Sequence, residues 1–135
     1  MRAAITMTVA AQLGQDLATR IRWTAVCRLA DLLPERGVCA LADGAQVAVF
    51  RAHDGAVYAV SNYDPFSGAF VLSRGIMGTR GEVPTVASPI GKQVFDLTTG
   101  RCLDKPGVSV PVARVRVAGG VVEITGPAAG GGQAP

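Results

Sequence analysis

A single histidine, His53, stands among 135 residues, and the three cysteines, Cys27, Cys39 and Cys102, lie far apart with no Cys-x-x-Cys pair. One imidazole and three scattered thiols match no zinc, haem or iron–sulfur ligand spacing, so no metal is expected on this chain. An odd thiol without a close partner is also a poor start for a disulfide framework, and a reducing, cytoplasmic setting fits better. His53 sits just ahead of the turn pair Asp54-Gly55, with no serine or cysteine nucleophile motif for company, and reads as a surface residue rather than a base. No catalytic residue is expected. Charge is equally sparse, at 17% of residues with a net of +3, and the cations Arg28, Arg51, Arg74, Arg80, Lys92, Arg114 and Arg116 are dispersed singly. That pattern excludes a basic nucleic-acid face. No stretch approaches the roughly 20 apolar residues that cross a bilayer. The apolar start, Met1 to Ala11, is too short, too rich in Thr and too weakly basic for a leader, so the expectation is a soluble chain.

What is abundant is small and apolar: 49% of residues are hydrophobic and 17 are glycine. That composition folds, and the length suits one domain. Leu13, Leu17 and Ile21 recur at four-residue spacing, suggesting a short helical arm over residues 1–22. From Trp23, Val-rich runs alternate with Gly, Pro and Asp as far as residue 125, the expected extent of the domain, and residues 126–135 read as an uncharged, disordered tail. The turn pairs Asp43-Gly44, Asp54-Gly55 and Gly119-Gly120 accept positive φ and predict hairpins joining Val38–Leu41, Ala45–Arg51 and Ala56–Ser61, and Ala113–Val117 with Val121–Ile124. Further strands are predicted at Trp23–Cys27, Thr85–Ala87 and Lys92–Asp96, a helical turn at Leu29–Leu33, and a long connection from Asn62 to Pro84. The fold class is all-β: an antiparallel sandwich or small barrel, with its sheet half exposed.

Two segments carry more than fold. Ser61-Asn62-Tyr63-Asp64-Pro65-Phe66-Ser67-Gly68 and Val86-Ala87-Ser88-Pro89-Ile90-Gly91-Lys92-Gln93-Val94-Phe95-Asp96-Leu97-Thr98-Thr99-Gly100 resemble the two cluster-binding loops of Rieske ferredoxin domains. There a Cys-x-His and a Cys-x-x-His loop grip a [2Fe-2S] centre. Here the four ligand positions hold Asp64, Phe66, Ser88 and Gly91. Phenylalanine and glycine have no side-chain lone pair to donate, so the cluster site is degenerate. With Trp23–Cys27, Val47–Arg51, Tyr58–Asn62, Asp64–Ala69, Leu72–Ile76 and Ala87–Pro89, the chain is similar to the small subunit of assimilatory NAD(P)H-dependent nitrite reductase.

That resemblance implies a Rieske-like domain without cofactors, serving a large catalytic subunit that carries sirohaem, a [4Fe-4S] cluster and FAD and reduces nitrite to ammonium. Asp64, Pro65, Phe66, Ser67, Gly68, Arg74, Arg80 and Pro89 are the candidate partner contacts. Taken alone, Asp64-Pro65 and Ser88-Pro89 are ordinary turn starters. Phe66 and Phe70 either plug the hollow of the lost cluster or face a partner, and Arg74 and Arg80 either meet an anionic surface or solubilise a loop. Two other functions stay open: a stand-alone ligand-binding or regulatory β-domain with a pocket between the loops, and an electron carrier with a cluster on Cys27, Cys39 or Cys102.

Overall fold

The computed structural model describes residues 21–128. The expected helical arm, apart from its last two residues, and most of the tail lie outside them. Ten strands follow in order: β1 (Thr24–Arg28), β2 (Gly37–Ala42), β3 (Ala45–Arg51), β4 (Val57–Ser61), β5 (Ile76–Arg80), β6 (Val83–Ala87), β7 (Val94–Asp96), β8 (Val112–Ala113), β9 (Val115–Ala118) and β10 (Val121–Ile124). Two 3-10 turns, Leu29–Asp31 and Leu72–Arg74, interrupt them. The strands form three antiparallel sheets, ordered β2-β3-β4-β8, β1-β10-β9 and β5-β6-β7.

The run Val47-Ala48-Val49-Phe50 explains how these sheets pack. Strand side chains alternate between faces, yet all four of these residues are buried. Both faces of the central sheet are therefore covered. Ala48 and Phe50 join Val60, Leu72, Val86, Phe95 and Leu97 in one core, shared with β6 and β7. Val47 and Val49 join Leu32, Ala59, Val122 and Ile124 in the other, shared with β10. The half-exposed sheet anticipated from sequence is seen in β2, in β5 and in the outer β9–β10 pair, where Glu123 opposes Arg116 and the guanidinium also lies 4.2 Å from the Trp23 ring centre.

The predicted turns close their hairpins. Asp43-Gly44 and Gly119-Gly120 both have positive φ, as a two-residue turn of the primed type needs. Two predictions require correction. Ala113–Val117 is not one strand: at Arg114 the chain leaves β4 and swings to β10, and Thr125 Oγ1 accepts the Arg114 N–H at 2.9 Å. The connection from Asn62 to Pro84 is not irregular either, since residues 76–80 form β5, paired residue by residue with β6 around a Gly81-Glu82 turn. Gly75, Gly78 and Gly81 disguised it.

The Phe95-Asp96-Leu97-Thr98-Thr99-Gly100 words make a turn with a physical reason for each residue. Phe95 and Leu97 are core residues. Asp96 Oδ1 accepts the Thr98 N–H at 2.7 Å and the Thr98 hydroxyl at 2.6 Å. Gly100 has φ +79 and a backbone carbonyl, that of Val110, where a β-carbon would stand. Gly44, with φ +75, has open space there instead. Gly100→Ala is therefore expected to cost about 3 kcal/mol, clash and strain together, against about 1 kcal/mol for Gly44→Ala, where only the left-handed backbone resists. Urea denaturation of the two variants checks the difference.

Candidate functional site

The two singled-out loops meet at one end of the domain. The first leaves β4 at Asn62 and folds into a tight turn, with the Gly68 N–H donating to the Asp64 carbonyl at 2.8 Å and the Asp64 N–H to the Ala69 carbonyl at 2.8 Å. The second follows β6, closed by the Ser88 N–H on the Gln93 carbonyl at 2.9 Å and by Lys92 in the left-handed region. Pro65 and Pro89 each follow the residue whose side chain caps its own turn. Asp64 Oδ1 accepts the Phe66 N–H at 2.9 Å, and Ser88 Oγ accepts the Ile90 N–H at 3.2 Å. The ordinary turn-starter chemistry is thus present, and it is used.

Beyond each turn, the two residues bond to each other. Ser88 Oγ donates to Asp64 Oδ2 at 2.6 Å, and Ser67 Oγ donates to the same oxygen at 2.8 Å. Asp64 and Ser88 are both buried. Burial alone pushes the Asp64 carboxyl up, but the hydrogen bonds from Ser88, from the Phe66 N–H and from Ser67 outweigh it, and its pKa ends below the ordinary carboxylate value. The acid is held as a carboxylate with both oxygens occupied.

The four degenerate positions divide accordingly. Asp64 and Ser88 are brought together as a buried pair. Phe66 turns toward the core, half-buried, its ring 6.1 Å from that of Phe95. Gly91 is exposed, and the amide of Gln93 occupies the space a β-carbon there would take. An iron–sulfur centre does not fit this donor set. Its two thiolate positions are consumed by a mutual hydrogen bond, one imidazole position is a ring packed inward, and the other has no side chain. Nor do the cysteines converge: Cys102 is in the core beside Phe95, while Cys27 and Cys39 line a cleft between β1 and β2. Burial raises the pKa of Cys27, with the nearby Asp31 carboxylate adding to it, and burial alone raises that of Cys39.

The candidate partner contacts separate as well. Asp64 and Phe66 point inward. Pro65, Ser67, Gly68 and Pro89 lie on the loops at least partly exposed, and Arg74 is exposed at the end of the second 3-10 turn. Arg80 is elsewhere, at the far end of β5, with its guanidinium 3.2 Å from Asp104. His53 is on the surface, 3.8 Å from Glu35, in a 210 Å³ cleft at that same far end.

Sequence reading missed Asn62 as a structural centre. Its side chain is buried; Nδ2 donates to Gln46 Oε1 and to the Phe70 carbonyl at 3.1 Å each, and Oδ1 accepts the Ser73 N–H at 2.7 Å. It thereby fastens the first loop and the following turn to β3. An uncapped polar residue directly after the apolar strand Val57–Ser61 was the available signal.

Comparison with known proteins places this geometry. The family described as Rieske-like [2Fe-2S] domain matches residues 22–125. The NADH nitrite reductase small subunit of Salmonella typhimurium is 45% identical over 106 residues, covering 78% of this chain and 98% of that one. A crystal structure of an NADH-dependent nitrite reductase small subunit from Mycobacterium tuberculosis superposes with a TM-score of 0.77 at 53% identity, over 80% of this chain and 97% of that one. A Klebsiella oxytoca nitrite reductase large subunit contains a region 40% identical to 74% of this chain, and that region is 10% of its own length.

The buried pair makes the domain sensitive to acid. A carboxylate whose folded pKa lies below its unfolded value of about 3.9 stabilises fully above that value and loses its contribution as pH falls through the folded one. Ser88→Ala is expected to cost about 2 kcal/mol and Asp64→Ala about 3 kcal/mol at neutral pH, because each strands buried polar partners. The gap between wild type and Asp64→Ala narrows below about pH 4. Urea titrations across pH read both effects.

Proposed function

Because the chain belongs to the Rieske-like [2Fe-2S] domain family, and within it to the small subunits of NAD(P)H-dependent nitrite reductase, we propose that it acts without catalytic groups of its own, as a structural subunit completing the large one. The carrying observation is the Asp64–Ser88 bond. Where a ferredoxin of this fold holds iron between its loops, this chain holds a satisfied hydrogen bond, so the loops keep their arrangement and cannot carry electrons.

The partner assignment is supported by the Klebsiella large subunit, which contains within its own chain a region like this domain. Two pieces that occur in one chain can work as one particle when separate. In this reading, the large subunit carries sirohaem, a [4Fe-4S] cluster and FAD, takes electrons from NADH or NADPH, and reduces nitrite to ammonium. The small subunit supplies shape to that assembly, and no electron passes through it. A cytoplasmic site of action agrees with dependence on the NAD(P)H pool and with three unbridged thiols. Among the described residues no helix is long and apolar enough to cross a membrane.

Neither alternative function finds an anchor in the geometry. A pocket between the loops would need the volume that Phe66, the Asp64–Ser88 pair and Gln93 fill. Clefts flank other elements, among them β1 and β2, the Gly119-Gly120 turn, residues 101–109 and the His53 end.

Tagged protein is expected to bring down the large subunit, and the complex to show sirohaem absorption while the isolated chain is colourless and free of iron. Deleting the chain is expected to lower NAD(P)H-dependent nitrite reduction. Undiminished nitrite reduction in its absence would overturn the reading.

A further inference from the structure

Three large apolar side chains stay exposed at the end where the loops meet: Phe70 at 40%, Ile90 at 56% and Ile76 at 67%. Ile76 opens β5 opposite Ala87, the residue before Ser88. Ile90 lies in the turn that Ser88 Oγ caps. Phe70 ends the first loop, its ring 5.2 Å from that of Tyr63 and its carbonyl held by Asn62. Each is therefore carried on backbone that buried side chains fix in place. Keeping such groups in water forgoes about 25 cal/mol for every Å² left uncovered, and large apolar side chains held exposed at one end of a domain are the raw material of an interface.

Charge sets this end apart. Over residues 62–76 and 88–93 the charged residues are Asp64, Arg74 and Lys92, and Asp64 is sealed inside. Arg74 and Lys92 are exposed, and neither has a carboxylate within ion-pair distance among the described residues. The opposite end carries Glu35, Asp54 and Glu82 around its cleft. The loop end is thus apolar and cationic, while the far hairpins carry Glu35, Asp54 and Glu82 beside His53 and the Arg80–Asp104 pair.

We propose that the loop end, with Phe70, Ile76 and Ile90 at its centre and Arg74 and Lys92 at its rim, is the face that docks on the nitrite reductase large subunit, against an apolar surface edged with carboxylates. This rests on the small-subunit reading and adds the surface to it. The occupant follows from the Klebsiella chain. There a covalent link holds domain and large subunit together, at an effective concentration on the order of millimolar. A free-standing chain has no such link and must offset the entropy of association through its surface. An apolar centre with a charged rim is the anatomy that does so.

The test uses the full chain and the separately purified large subunit, with affinity read by calorimetry at two salt concentrations. Ile76→Glu and Ile90→Glu are each expected to weaken binding roughly 30-fold or more, the loss typical of a central interface residue. Arg74→Glu is expected to weaken it and to flatten the salt dependence. Val117→Glu, which places the same charge at an exposed apolar site on β9, and Glu82→Lys, at the acidic end, are expected to bind as wild type does. Circular dichroism melts confirm that each variant is folded. Wild-type affinity in folded Ile76→Glu and Ile90→Glu overturns the assignment of this face while leaving the small-subunit reading intact, and so does an equal loss in Val117→Glu. Loss of self-association in these variants, with large-subunit binding unchanged, assigns the face to a second copy and also overturns the proposal. A wild-type chain that fails to bind the large subunit overturns the reading itself.

Discussion

A carboxylate shut inside a β-domain is tolerable only when its oxygens are met, and Asp64 is met by a hydroxyl from the far loop, a hydroxyl from its own loop and a backbone N–H. The bond to Ser88 spans 24 residues of sequence and is the shortest of the three, at 2.6 Å. It joins the loop after β4 to the loop after β6, and so couples the central sheet to the β5–β6–β7 sheet at their shared end. A metal cluster would do the same with four coordinate bonds. A charge-assisted hydrogen bond does it with less energy, but needs no cofactor, and buried surroundings strengthen it.

Other parts of that end follow from the tie. With the two loops drawn together, Phe66 lies near Phe95, adding aromatic packing where an imidazole would face iron. On the other side Asn62 performs the matching task, binding the first loop back to Gln46 on β3 and to Ser73. Between them, Asp64 and Asn62 give one loop two buried anchors within three residues, fixing a segment without regular strand or helix. Loops anchored in this way present their outer side chains without paying fresh ordering entropy on contact with a partner.

Much of this was legible in the residues. Asp43-Gly44 and Gly119-Gly120 announced their hairpins because few sequences tolerate two consecutive positive φ values, and replacement of four ligand types by Asp64, Phe66, Ser88 and Gly91 announced the degenerate site. What was not legible depended on partners distant in sequence. Strand β5, Ile76-Met77-Gly78-Thr79-Arg80, is mostly exposed and has a central glycine, so it lacks the alternation that marks a strand; its pairing with β6 holds it. Arg80 looked like a neighbour of Arg74 until that strand carried it to the opposite end, where Asp104 receives it. Burial of β3 on both faces showed only as an apolar run, since the second covering sheet comes from residues more than 30 positions away. Asn62 gave the weakest signal of all. A buried asparagine is distinguished from a surface one only by the groups around it, and Gln46, Phe70 and Ser73 are drawn together by the fold.

The residues at the four degenerate positions also decide which atoms remain to act. In a cluster-bearing loop pair, the groups that matter face inward, toward the irons, and the protein's influence is exerted through ligand identity and the surrounding hydrogen bonds. Here the inward groups are spent on each other. Asp64 has both carboxylate oxygens occupied, the Ser88 oxygen is both donor and acceptor, and Phe66 is against the core. Outside, the loops show Phe70, Ile76 and Ile90, with Arg74 and Lys92 beside them, neither ion-paired among the described residues. That surface offers large apolar side chains and, in Arg74 and Lys92, two exposed cations. It has the features of a surface that another protein covers. In the docking reading, the hydrogen bond that closes the inside of the site leaves its outside to meet the partner.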